Sequence, residues 1–225
     1  MKKLLIMALA ASAFLISCQG TSGDKANTTT EQAVSEQTGA TYVLESENSS
    51  LKWTGYHKGG VGPRFGTLKG EGTLSAEGGS VTGGSFIIDI NSVLTDESSV
   101  DVATTGGKTA ADLDAHLKNA DFFESDKYPT AKFEITGVSP FDAAKDQSVV
   151  EGATNTISGN LTIKDKTVNV TFPAKVNVTD THINVESKFT IKRQDWGLTY
   201  GTEGNPKDWG IAQEIDIELN INAKK

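Results

Sequence analysis

The run VNVTFPAKVNV, residues 168–178, alternates apolar and polar side chains without a break. Val168, Val170, Phe172, Ala174, Val176 and Val178 share one parity, and Asn169, Thr171, Pro173, Lys175 and Asn177 take the other. Successive side chains of a strand point to opposite faces, so this alternation places one face in an apolar interior and the other in water. Pro173 has no N–H to give a neighbouring strand, which predicts an edge or a bulge there.

The same period continues on both sides. Upstream, residues 156–164 alternate Ile157, Gly159, Leu161 and Ile163, joined by a tight turn at Asp165-Lys166. Downstream, a turn at Thr179-Asp180 leads to a strand with Ile183, Val185, Phe189 and Ile191 inward. Further out, Phe86, Ile88 and Ile90 share a face, as do Ala131, Phe133 and Ile135, and near the C-terminus Ile211, Ile215, Ile217, Leu219 and Ile221. Residues 42–47 and 50–56 read as two strands with a hairpin at Asn48-Ser49, and a glycine-rich strand covers 66–75. Strands this long, linked by hairpins and wet on one face, suit a closed antiparallel barrel better than a sandwich.

One segment breaks the β pattern. In TAADLDAHLKNADFFESDKYP, residues 109–129, Thr109 and Asp112 have the spacing of a capping box, and Ala110, Leu113 and Leu117 fall on one helical stripe. The helix is expected over 109–119. Phe122 and Phe123 follow its end, and Pro129 forces Tyr128 toward extended backbone before the next strand. A short helix ending in paired aromatics reads as a lid on an apolar interior or as plain cover for one open end of the sheet. Residues 92–107 read as a long loop leading into it.

The N-terminus belongs to export. Lys2 and Lys3 precede an apolar run that closes on Leu15-Ile16-Ser17-Cys18, a lipobox, so Cys18 is expected to carry a lipid and to be the sole membrane attachment. It is the only cysteine, which excludes an intrachain disulfide, a cysteine metal cluster and a thiol nucleophile. Residues 18–40 are small and polar without periodicity and read as a disordered tether with a reach of roughly 25 Å, leaving 41–225 for one domain. The formal charge of −8, more negative once Lys2 and Lys3 leave, argues against nucleic acid and against electrostatic docking on anionic lipid.

No catalytic or metal motif stands out. Gly59-Gly60-Val61-Gly62 lacks the GK[ST] and the following helix of a phosphate loop. Three histidines could act as bases near neutrality: His182 has outward parity, His116 sits on a solvated helix flank, and His57 stands at a rim where it could bond a head group. Arg193 and Asp195 form either a rim salt bridge or a head-group clamp, with Trp196 beside them.

With these residues in place, 41–222 resembles the YceI-like family of bacterial periplasmic polyisoprenoid-binding proteins. The blocks that carry the resemblance are LKWTGYHKGG around Trp53 and His57, Phe65-Gly66-Thr67, Ile88-Asp89-Ile90-Asn91-Ser92-Val93 and Leu113-Asp114-Ala115-His116-Leu117. They continue in Asp121-Phe122-Phe123-Glu124 with Tyr128-Pro129, Ile157-Ser158-Gly159-Asn160-Leu161-Thr162-Ile163 and Arg193-Gln194-Asp195-Trp196-Gly197-Leu198. The resemblance implies an all-β fold, an eight-stranded antiparallel lipocalin-like barrel with one short inserted helix, holding an isoprenoid lipid such as a quinone or polyprenyl chain and needing no catalytic cofactor. The lipobox and the length of 92–107 depart from the family's usual pattern, and the G-x-W of true lipocalins is absent.

The expected lumen lining is Trp53, Phe86, Ile88, Phe133, Leu161, Val170, Phe172, Ile183, Val185, Phe189, Ile217 and Leu219, with His57, Phe122, Phe123, Arg193 and Trp196 at the rim. The expected protein is an outer-membrane lipoprotein facing the periplasm that binds an apolar lipid, with a homodimer left open. The alternatives are a filled-barrel structural or stress-related surface lipoprotein and, third, a hydrolase.

Overall fold

The computed structural model describes residues 20–202 and 210–225. Cys18 and the Gly204-Asn205-Pro206 loop lie outside them. Two very short strands come first, β1 (Asp24–Lys25) and β2 (Asn27–Thr29), followed by β3 (Ala40–Leu44), β4 (Ser50–His57), β5 (Arg64–Glu77) and β6 (Ser80–Thr95). Helix α1 (Ala110–Lys118) precedes β7 (Thr130–Pro140), β8 (Asn155–Ile163), β9 (Lys166–Val178), β10 (His182–Lys192) and β11 (Ile211–Lys224).

Each strand from β5 to β11 pairs antiparallel with the next, and β11 returns to pair with both β3 and β4. Because β3 and β4 also share β5 as their other neighbour, they form one wall strand interrupted by a single 3-10 turn at Ser46–Asn48. The hairpin expected at Asn48-Ser49 is therefore corrected: the chain resumes its direction instead of reversing. Asn222 of β11 holds the interruption, donating its backbone N–H to Ser49 Oγ at 2.9 Å and its amide to the Asn48 carbonyl. The result is an eight-stranded antiparallel barrel with two extra outer strands and one helix.

The barrel has two different ends. At the mouth lie α1, the β4–β5 loop and the 3-10 turn Arg193–Trp196; at the far end lie the turns at 78–79 and 179–181 and the loop 141–154. Helix α1 has the capping box its sequence implies, with Thr109 Oγ1 accepting from the Asp112 N–H and Asp112 accepting from the Thr109 N–H. Strand β6 runs on through Ser92 to Thr95, where a long loop was expected, because Gly66 and Thr67 of β5 continue to pair with Thr95 and Leu94. Asp114 accepts from both the N–H and hydroxyl of Thr95, tying the helix to that strand end.

Toward the far end the lumen is solid. Tyr42, Ala174, Ile183 and Ala223 pack there, and Phe172 and Phe189 stack face to face at 4.0 Å further toward the mouth. Tyr42 crosses to the turn beyond β9 and donates to the Thr179 carbonyl at 3.0 Å. Gly159 is required by this packing, since a Cβ there would come within 2.2 Å of the Phe133 ring.

The seam between β9 and β10 is where the wall is incomplete. These strands pair only over 175–178 and 183–186, and Pro173 marks the point of separation, its carbonyl capped by Ser187 Oγ at 2.6 Å. Into the gap comes the N-terminal segment. Strand β1 pairs parallel with β10 at Phe189 and Thr190, and β2 pairs antiparallel with β9 at 169–171. The chain then crosses the outside of the barrel, exchanging bonds between Gln32 and Asn160 on β8, Ser35 and Ile135 on β7, and Thr38 and Thr82 on β6, before entering β3.

This strap corrects the expectation of a disordered tether over the described part of that stretch. Its composition is too polar to fold by burying apolar surface, but it folds by completing backbone ladders that the separated strands leave open. It also corrects the expectation that Asn169 faces water. Asn169 and Asn160 are buried beneath the strap, with Asn169 donating to Thr136 Oγ1 and Asn160 Oδ1.

Candidate functional site

The lumen holds a cavity of about 880 Å³, and Phe172 and Phe189 are among the residues that line it. That volume is near the upper end of small-molecule sites, which run roughly 300–1,000 Å³. Trp53, Phe86, Ile88, Phe133, Leu161, Val170, Phe172, Val185, Phe189, Ile217 and Leu219 all line it. Ile183 does not; it is fully enclosed in the solid part of the barrel.

The mouth is closed from one side by the helix and its exit. Leu113, His116, Leu117, Phe122 and Phe123 face the cavity. Phe123 packs on the cluster of Ile88, Ile90 and Ala131, and Phe122 is buried against His116 and Tyr200, with ring centroids at 5.1 and 5.2 Å. His116 thus departs from the solvated flank expected of it. It turns inward between two aromatic rings while Nε2 donates to Asp121 at 3.2 Å, because Asp121 lies just beyond the helix end on the same side. Lys164 fastens this lid from the β8–β9 turn, donating to the Phe122 carbonyl and pairing with Glu124 at 3.4 Å.

The other rim residues are distributed differently. His57 is exposed at the edge of the cavity, carrying a proton on Nδ1 toward the Gly62 carbonyl at 3.2 Å. Trp196 is buried and gives its indole N–H to the Leu161 carbonyl at 2.8 Å, so it braces the wall from inside. Arg193 is 2 % exposed and donates to the carbonyls of Ala212 and Leu198, at 2.9 and 2.6 Å, rather than to Asp195. The expected rim salt bridge gives way because the 3-10 turn folds the guanidinium under β11. Burial depresses its pKa from the ordinary arginine value.

Arg193 and Trp53 are both buried in the wall of the cavity. The Arg193 guanidinium is taken up by backbone carbonyls, whereas the indole N–H of Trp53 has no hydrogen-bond partner, the one such buried side-chain atom among the described residues. Leaving a buried donor unmade costs about 1–3 kcal/mol. Strand parity could have placed Trp53 in the wall, but nothing in the sequence marks its N–H as unpartnered. No group of three or more His, Cys, Asp or Glu side chains suited to a metal ion occurs among the described residues. The site is built as a container with apolar walls.

The strap's first contacts lie outside this cavity, near its mouth. Asp216 points outward from β11 and is nevertheless 3 % exposed. It accepts from Ser22 N–H at 2.7 Å, Tyr56 Oη at 2.9 Å and Thr190 Oγ1 at 2.5 Å. Burial alone would raise its pKa, but the bonds from Ser22, Thr190 and Tyr56 outweigh that and hold the carboxyl below the usual range. Burial and the bond to Asp216 push the Tyr56 phenol up.

Comparison with known proteins agrees with this architecture. Protein YceI of Shigella flexneri is 34% identical over 145 residues, covering 61% of this chain and 68% of that protein. A UPF0312 protein of Pseudomonas aeruginosa is 31% identical over 146 residues, with the same coverage of 61% and 68%. The crystal structure of Burkholderia cenocepacia BcnA superposes with a TM-score of 0.57 at 19% identity, spanning 80% of this chain and 99% of that one, and so shares the fold. The pattern of the YceI-like domain matches residues 42–223. On that match, and on the barrel with its helix-capped lumen, the chain belongs to the YceI-like family.

Proposed function

We propose that this protein is a lipid-anchored carrier or store for one long isoprenoid lipid bearing an oxygen-containing ring, of the quinone type, exported and held at the bacterial outer membrane facing the periplasm. The observation that carries the reading is the cavity: about 880 Å³ of largely apolar space enclosed by the upper wall and α1. A hydrocarbon tail needs no charged partner there, because each CH₂ taken from water gains ~0.8 kcal/mol. The indole N–H of Trp53, buried in the cavity wall without a partner, is the donor that an acceptor oxygen at the polar end of a cargo would satisfy. A barrel filled along its whole length would not leave this space, which disfavours a purely structural role.

The test is a titration of organically extracted protein with three probes, followed by tryptophan fluorescence. The probes are a quinone with a long isoprenoid tail, the same ring without the tail, and a polyprenyl hydrocarbon without the ring. The expected order is tailed quinone tightest, hydrocarbon next, and ring alone at least about a hundredfold weaker than the tailed quinone. Binding of the bare ring as tightly as the tailed quinone, or binding of none of the three, overturns the reading.

A further inference from the structure

We propose that the interruption between β3 and β4 is a side portal of the lumen, and that the polar end of the cargo meets water there while its hydrocarbon body lies under the helical lid. The proposal rests on the carrier reading above and adds where the cargo's head sits. Strand β3 pairs with β5 as far as Val43 and Thr73, and β4 takes over at Leu51 and Leu68. Residues 69–72 of β5 therefore face 44–50 without a strand register between them. A side chain spans this gap in place of a ladder, Ser46 Oγ donating to the Gly70 carbonyl at 3.0 Å.

The cavity reaches the break. Its lining takes in Ser46, Glu47 and Ser49 on one side and Lys69, Gly70 and Glu71 on the other. Lys69 and Glu71 are exposed and have outward parity, so the open space continues through the wall instead of ending at its inner face. Gly70 between them leaves β5 bare, and a Cβ on it would come within 2.9 Å of the Ile87 carbonyl oxygen of the neighbouring strand. The inner edge of the opening is apolar, formed by the half-buried Leu44, Leu51 and Leu68.

The two openings offer different chemistry. At the mouth, Tyr56, His57, Arg64 and Asp112 are bonded within the protein, to Asp216, the Gly62 carbonyl, the Ser99 carbonyl and Thr109 respectively. The lid beside them turns Leu117, Phe122 and Phe123 to the lumen. At the break, Glu47, Lys69 and Glu71 stand exposed around the opening. Each CH₂ left in water forgoes ~0.8 kcal/mol, so the end of a cargo that comes to this opening is its polar one. Trp53 is the next inward residue of β4 after Leu51, roughly 7 Å along the strand. An oxygen that takes its unpartnered N–H is thus placed beside the portal.

The test uses the full chain, organically extracted and reloaded with a long-tailed quinone, and follows reduction of the bound ring by dithionite, a water-soluble dianion, through loss of quinone absorbance. Ser46→Trp, which puts bulk into the gap, should slow the reduction at least about tenfold, whereas Lys108→Trp, which puts bulk at the mouth, should change it by less than about twofold. Because Ser46→Trp also removes the bond to Gly70, a second variant leaves that bond in place. Glu47→Lys combined with Glu71→Lys should speed reduction several-fold at about 0.01 M salt and far less at about 1 M, where charges are screened. Slowing by Lys108→Trp but not by Ser46→Trp, or a rate unmoved by both changes at the break, overturns the portal while the carrier reading stands. Failure of the tailed quinone to bind the unmodified protein overturns both.

Discussion

Asn169 shows how far a strand's parity carries. Its neighbours Val168 and Val170 face the lumen, so its own side chain points outward, yet it is 3 % exposed and bonded to Thr136 and Asn160. Asn169→Lys would place an ammonium beneath the strap and break both bonds, at a cost of roughly 3 kcal/mol. Asn177→Lys, at the same parity on the same strand but exposed, should change stability by less than about 0.5 kcal/mol. Denaturant midpoints of the two variants check the contrast, and equal midpoints would mean that the strap does not cover this wall. The inward half of the alternation was legible in residues 168–178, because a period of two follows from backbone geometry alone. The outward half was not, because what covers Asn169 is chain from more than 130 residues earlier, with no apolar pattern to announce it. Trp53 is similar: its place in the wall could be read from Leu51 and Lys52, whereas its unpartnered N–H depends on neighbours from other strands.

Among the elements, α1 and the strap differ in how they are held. Helix α1 was legible almost to the residue, since a capping box and an i, i+3, i+7 stripe are local signals; 109–119 was expected and Ala110–Lys118 is found. Its aromatics close the hollow part of the barrel, so changing Phe122 and Phe123 together to Ser should speed release of bound lipid more than it lowers the melting temperature of the extracted protein. A fall in melting temperature with unchanged release would show them to be ordinary core. The strap depends on an ionised Asp216. Its carboxyl pKa in the fold is lowered, so the stabilisation is fully present above the unfolded aspartate value of about 3.9 and is lost as pH falls through the folded value. Amide exchange over residues 22–30, corrected for intrinsic rates, should remain slow at pH 6 and become fast below pH ~3.9 before the barrel itself opens. Protection that persists until the barrel unfolds would contradict this. The wall break at Ser46–Asn48 had a readable turn but not a readable outcome, since only the shared partners β5 and β11 distinguish an interrupted strand from a hairpin.

At the scale of the whole molecule, the eight-stranded wall encloses two different interiors. The far end is packed by Tyr42, Ala174, Ile183 and Ala223, and the rest of the lumen holds about 880 Å³ of open, apolar space under a helical lid. Filled barrel and container were both open readings of the same alternating strands, because alternation specifies which residues face in and not whether they meet. The most direct measurement is native mass spectrometry of the protein isolated from bacterial membranes without detergent exchange, followed by organic extraction and identification of what is released. One isoprenoid lipid per chain, carrying a quinone-type ring, is the expected result; a barrel that leaves the membrane with no lipid bound would contradict the account.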